Sequence, residues 1–204
     1  IKSRGGLEWI PHTSHNRFKM IPVAKPNLEG NELKYISECI NGGWISSSGK
    51  FITKFEEEFA KFCGTNYATS TSNGTTALHL ALLAIGIKEG DEVIVPNLTF
   101  ATTANVVKHC GATPILVDVE KNTWNISPDE IRKNITLKTK AIIPVHLYGN
   151  PCDMNPIMNI AEEHNLIVIE DAAEAHGAEY KGRKVGSIGH IGCFSFFGNK
   201  IITT

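Results

Sequence analysis

Four short runs constrain this chain more than anything else in it: "EVIVP" at 92–96, "TPILVDV" at 113–119, "KAIIPV" at 140–145 and "NLIVIED" at 165–171. Each is apolar and rich in β-branched residues without strict alternation, which is how a strand buried on both faces reads. Helical patterns lie between them. One opens with "SPDE", where Ser127 is an N-cap, Pro128 suits the first turn and Glu130 completes a capping box. Upstream, Leu33, Ile36 and Ile40 recur at helical spacing and stop at Asn41-Gly42-Gly43, and Phe51, Phe55, Phe59 and Phe62 form a second stripe ending at Gly64. Both stripes are expected to pack on something larger. Strand and helix in alternation predict an α/β fold, a three-layer αβα sandwich whose mostly parallel sheet has helices on both sides. In such sheets ligands gather at the carboxyl ends of the strands, so chemistry is sought just past each run.

The 204 residues are 42% hydrophobic, enough to fill a core, and 20 basic residues against 21 acidic ones give a net charge of −1. That balance supplies no positive field for nucleic acid; small molecules and other protein chains are the expected partners. Cys39, Cys63, Cys110, Cys152 and Cys193 are widely spaced with no C-x-x-C pair, which argues against a disulfide framework and a zinc site and for a reducing cytoplasm. The longest apolar run, "LALLAIGI", falls far short of the roughly 18 residues that span a bilayer, so no membrane partner is expected. Residues 1–20 have neither a signal-peptide core nor a helical or strand period. They read as an extension or expression remnant, with Met20 a natural start and the folded domain expected over 21–204.

Three pieces near strand ends carry chemistry. In "TSTSNGTTALHLALLAIG", 69–86, a small-residue strand leads through Ser72-Asn73-Gly74-Thr75-Thr76 into an apolar helix. The helix start is either plainly capped by Ser72 or Asn73, or it is a phosphate cradle in which free amides face an anion and Gly74 allows close approach. Asp171 follows the buried run "LIVI" and is either a capping carboxylate or a buried acid that needs a cationic partner or several donors. Ala172 and Ala173 leave room for a flat ligand, Glu174 is placed to face the same ligand, Glu170 reads as a solvated or structural carboxylate, and His176 is either an orienter of Asp171 or a satisfied histidine behind the residues that touch the ligand. Lys200 in "FSFFGNK" is either a solvated lysine or an amine whose aromatic surroundings favour the neutral, nucleophilic form. Ser195 alternates with Phe194 and Phe196 and so points to the opposite face in an extended chain. An anchor for phosphate, an acid for a ring nitrogen and an amine for an aldehyde are together what pyridoxal 5'-phosphate requires. Phe100, after another strand end, is either a stacking platform for the ring or a core aromatic.

The segments "KPNLEGNE", "GGWISSSGKFITKFEEEFAKF", "SNGTTALHLAL", "GDEVIVPNLTFATT", "PVHLYGNP", "IEDAAEAHGA" and "GCFSFFGNKIITT", in this order, resemble the DegT/DnrJ/StrS family of sugar aminotransferases. The resemblance runs from about Ile21 to Thr204. It implies the pyridoxal-phosphate-dependent transferase fold type I, in its aspartate-aminotransferase-like large domain. It further implies that Lys200 holds the cofactor covalently and serves as proton carrier, that Asp171 pairs with the ring nitrogen, and that Gly74, Thr75 and Ser195 hold the phosphate. Phe100 and Ala173 would flank the ring, Glu174 would lie near the cofactor hydroxyl, and Trp44, Ile45 and Ser46 would approach substrate.

The implied reaction moves an amino group from L-glutamate, through pyridoxamine 5'-phosphate, to the 4-keto group of a nucleoside-diphosphate 4-keto-6-deoxyhexose. That is the perosamine or viosamine type of amino-sugar synthesis that feeds polysaccharides. The resemblance also implies a homodimer with shared active sites and a smaller carboxy-terminal domain that this sequence does not include. The alternatives are a sugar dehydratase, in which relatives carry histidine in place of the lysine, and a non-catalytic ligand-binding fragment.

Overall fold

All four apolar runs form strands in the computed structural model, which describes residues 25–203. The expected extension at 1–20 and the natural start at Met20 lie outside the described residues. Strands β1 (Glu92–Pro96), β2 (Thr113–Val117), β3 (Thr139–Ile142) and β4 (Ile167–Asp171) are joined by β7 (Ile191–Cys193) in one sheet of order β2-β1-β3-β4-β7. Every pairing in it is parallel. A two-residue hairpin, β5 (Glu179–Tyr180) with β6 (Arg183–Lys184), stands apart.

Strand alternation divides the core into two layers. Ile94, Ile142 and Val168 face one side, where helices α5 (Pro128–Lys133) and α6 (Met154–His164) pack Ile131, Ile157 and Ile160 on them. Val93, Val95, Ile143 and Ile169 face the other, under Leu78 and Leu82 of α3 (Gly74–Ala84) and Val106 and Val107 of α4 (Thr102–His109). Most of these side chains are fully enclosed, and each contributes about 1.5–3 kcal/mol relative to exposure. The result is the three-layer αβα sandwich that the sequence predicts.

Local details follow the sequence in part. Helix α2 (Lys50–Cys63) ends where expected, on Gly64 in the left-handed region with φ 77°, and its Phe59 stacks edge-on with Phe194 and Phe196 at 4.9 and 5.2 Å. Helix α1 (Glu32–Asn41) also stops on time, but its stripe is not buried: Leu33, Ile36 and Ile40 are all more than half exposed, and α1 touches α2 through Tyr35 on Phe51. Ser127 accepts the Glu130 amide as a cap should, yet the Glu130 carboxylate turns to Lys133, so the second half of that capping box does not form. Residues 69–72 form no strand, because Glu56 of α2 draws in the Ser70 amide and hydroxyl at 2.7 and 2.8 Å. Among the described residues no helix is long and apolar enough to cross a membrane, and all five cysteines are free.

Candidate active site

The site lies where β1, β3, β4 and β7 end. β4 finishes on Asp171, whose side chain emerges on the α3–α4 face and is buried. The Thr103 hydroxyl donates to its Oδ2 at 2.8 Å and the Ala173 amide to its Oδ1 at 3.2 Å. Burial pushes the Asp171 carboxyl above the ordinary range, against these two donors and the nearby positive charge of Lys200. Thr103 is itself buried on α4, and its amide bonds back to the Phe100 carbonyl at 3.1 Å, which fixes the Phe100 loop beside Asp171. The Phe100 ring is 75% exposed, an uncovered flat surface at the strand ends rather than a core aromatic.

Lys200 reaches the site from the segment beyond β7. Its Nζ pairs with Glu174 Oε1 at 3.1 Å, and both side chains are largely covered. The other carboxylate oxygen of Glu174 accepts the Tyr148 amide at 3.0 Å. Tyr148 sits in a tight turn at 147–149 with φ 50°, a left-handed conformation that a bulky residue adopts at a cost of roughly 1–2 kcal/mol. Glu174 thus bridges a strained turn and the lysine.

The third piece is the start of α3. Asn73 caps it, accepting the Thr76 amide at 2.9 Å while its own amide donates to Thr76 Oγ1 at 3.1 Å. That reciprocal cap satisfies Thr76, whereas the Gly74 and Thr75 amides have no bonded partner among the described residues. Ser195 is buried directly against this turn: a Cβ on Gly74 would lie 2.8 Å from Ser195 Cβ. Gly74 is therefore required first by the close approach of the chain leaving β7. Phe194 and Phe196 turn away onto Phe59, so the alternation expected of 194–196 continues past the strand's last residue.

These pieces bring together Gly74, Thr75, Phe100, Asp171, Ala173, Glu174, Ser195 and Lys200. The substrate-loop residues are less convergent. Ile45 lines an open groove of about 1700 Å³ that also touches Gly74, Ser195 and Phe196, while the Trp44 ring lies back over Gly42 and Gly49 and neither it nor Ser46 lines the groove. The groove also leaves out Asp171, Glu174 and Lys200, so it marks the apolar side of the cradle rather than the reactive groups.

His176 does not orient Asp171: its ring sits on Phe194 and Phe196, neither nitrogen has a partner among the described residues, and burial together with the Lys200 charge lowers its pKa. Sequence reasoning gave no role to Thr103, Tyr148 or His146. The motifs "PNLTFATT" and "PVHLYGNP" contain all three, but nothing in their spacing says which side chain faces Asp171.

A family model described as the DegT/DnrJ/EryC1/StrS aminotransferase family matches residues 26–204. The chain belongs to that family. It is 59% identical over 184 residues to the GDP-perosamine synthase of Caulobacter vibrioides, covering 90% of this chain and 50% of that protein. Among solved structures, the aminotransferase from Psychrobacter cryohalolentis superposes with a TM-score of 0.85 at 47% identity, covering 87% of this chain and 45% of the other. The Escherichia coli GDP-4-keto-6-deoxy-D-mannose-3-dehydratase with bound hydrated PLP superposes with a TM-score of 0.84 at 32% identity, covering 89% and 48%. This family member spans about half the length of the curated relatives it matches.

Proposed function

We propose that this chain supplies the pyridoxal-phosphate-binding large domain, residues 21–204, of a sugar-nucleotide aminotransferase. The protein transfers the amino group of L-glutamate to the 4-keto group of a nucleoside-diphosphate 4-keto-6-deoxyhexose, as a cytoplasmic homodimer with shared sites. The observation that carries the reading is the meeting of three unlike groups at the strand ends. They are a buried carboxylate, a covered lysine amine and a helix start whose amides have no partner among the described residues. These residues fit the cofactor. The Gly74–Thr75 turn with Ser195 beside it suits a phosphate, Asp171 a ring N–H, and Lys200 an aldehyde.

When bound, pyridoxal phosphate provides an aldehyde that links to amines and a ring that takes up the electron pair left on an amino carbon. Asp171, held by Thr103 and Ala173, keeps the ring nitrogen protonated through a charge-assisted bond, typically about 1.5–3 kcal/mol. Phe100 and Ala173 would hold the ring between them. Lys200 Nζ would hold the cofactor through its aldehyde, and as a free amine it would be the group that carries the proton to and from the amino-bearing carbon. Glu174 keeps that amine aimed into the site by its 3.1 Å pairing. Ile45 contacts the sugar nucleotide from the groove rim, with Trp44 and Ser46 on the same loop. Lysine at position 200 favours transamination over dehydration, because the resemblance implies histidine in its place in a sugar dehydratase.

The test is a visible absorption spectrum with added pyridoxal phosphate, then borohydride reduction and peptide mapping. An adduct on Lys200 that disappears in Lys200→Ala supports the assignment. Label spread over surface lysines, or equal in the variant, refutes it.

A further inference from the structure

Glu170 has no part in the reaction as described, yet no exposed surface of it remains. It precedes Asp171 on β4 and points to the opposite face of the sheet. There its carboxylate is filled. Oε1 accepts the amides of Ile188 and Gly189 at 2.7 and 2.6 Å, and Oε2 accepts the Gly186 amide at 2.8 Å and His146 Nε2 at 2.9 Å. The His146 tautomer is fixed, since Nδ1 accepts the Cys152 amide at 3.0 Å and leaves the proton on Nε2 to be donated to Glu170. Burial alone would raise the Glu170 carboxyl, but the histidine and the amides of Gly186 and Gly189 outweigh it and hold it below its ordinary range.

The four donors come from two segments, and both lead to Lys200. One is the 186–189 loop, which feeds β7; a Cβ on Gly192 of β7 would overlap the Gly186 carbonyl, so loop and strand are in direct backbone contact. From β7 the chain runs on through Ser195 to Lys200. The other begins at His146, whose amide bonds the Asp171 carbonyl at 3.1 Å, and continues through the 147–149 turn to Tyr148, Glu174 and the Lys200 ammonium. A rigid ring that Asp171 would hold at one end and Lys200 at the other would tolerate little change in their separation.

We infer that Glu170, through His146 and the 186–189 amides, is a positioning residue that sets the placement of Lys200 relative to Asp171. The cofactor part of this rests on the function proposed above. The clamp itself does not.

The test is Glu170→Gln in the full chain. The amide keeps the shape but brings one NH₂ against either the Gly186 amide or the Ile188 and Gly189 amides, so no rotamer satisfies all four donors. Backbone hydrogen exchange followed by mass spectrometry should accelerate at least tenfold in peptides covering both 145–152 and 186–200, with β1 and β2 unchanged. Acceleration in only one segment, or equally everywhere, overturns the coupling.

In parallel, the pyridoxal-phosphate concentration that half-saturates borohydride-trapped label on Lys200 should rise about tenfold. An unchanged value beside altered exchange overturns the positioning role and leaves a structural one. If the unmodified chain itself fails to label at Lys200, the proposed function fails, while the exchange result still decides the clamp. Should Glu170→Gln not fold, His146→Phe removes one arm only. Exchange should then rise at 145–152 and not at 186–189, with the same loss of labelling, and unchanged labelling would overturn the inference.

Discussion

Asp171→Asn should strengthen the fold while disabling the site. The side chains are isosteric, and the surroundings can adapt: Asn Oδ1 keeps the Ala173 amide, Asn Nδ2 donates to Thr103 Oγ1, and the Thr103 hydroxyl turns to Thr99 Oγ1, 3.3 Å away. One Nδ2 hydrogen is left over, at about 1 kcal/mol. Against this stands the buried carboxylate, whose desolvation costs several kcal/mol and which its two hydrogen bonds, at about 1.5–3 kcal/mol each, offset only in part.

The folded pKa of Asp171 is raised by burial, so the stability tied to the protonated group is fully present below the unfolded value near 4 and is lost as pH rises through the folded value. The variant lacks this term. The stability difference, variant minus parent, should therefore increase as pH rises from the unfolded value through the folded one, by at most about 1.4 kcal/mol per pH unit, and be positive at pH 8. Urea unfolding of both proteins from pH 4 to pH 8 measures it, and subtraction cancels the titration of distant groups. A flat difference, or a variant clearly less stable at pH 8, would refute the account of Asp171 as a costly buried charge. The same protein should bind pyridoxal phosphate with a spectrum lacking the protonated-ring form.

Three further outcomes follow from the geometry. Thr103→Val removes the hydroxyl donor of Asp171 and should lower stability by about 1–3 kcal/mol at pH 8 and by less as pH falls and the carboxyl takes up its proton, as urea midpoints would show. Gly74→Ala drives a methyl into Ser195 Cβ at 2.8 Å, so strain of about 1–3 kcal/mol should exceed any gain in helix propensity, and phosphate inhibition of cofactor labelling should weaken. Tyr148→Gly relieves the left-handed strain at a residue that is 83% exposed and should raise stability by about 1 kcal/mol, read as a higher melting temperature.

The layers of the fold were legible because burial leaves a local trace. β1, β3 and β4 read as runs apolar on both faces and are largely buried, whereas β2 reads the same way but is an edge strand with Leu116 58% exposed; α2 and α3 stop where a glycine or a change of period says they should. The candidate site was legible where one residue carries its own signal: Asp171 as an acid after a buried run, Lys200 behind aromatics, Gly74 at a helix start. Partners across the sheet were not. Thr103 lies 68 residues from Asp171 and His146 lies 24 from Glu170, and no period along the chain reports which strands become neighbours.

Local composition, then, determined strands β1 to β4, the helices and the kinds of chemistry at the strand ends, but not β7 or the β5–β6 hairpin, and it suggested a strand near 69 that does not form. Only the parallel order β2-β1-β3-β4-β7 decided that α4 would deliver a hydroxyl to Asp171, that the chain after β7 would press Ser195 onto Gly74, and that Glu174 would reach Lys200. The same tertiary arrangement left the α1 stripe exposed although its spacing is that of a buried face. Periodicity states what a face can bury; the packing of distant elements states what meets it.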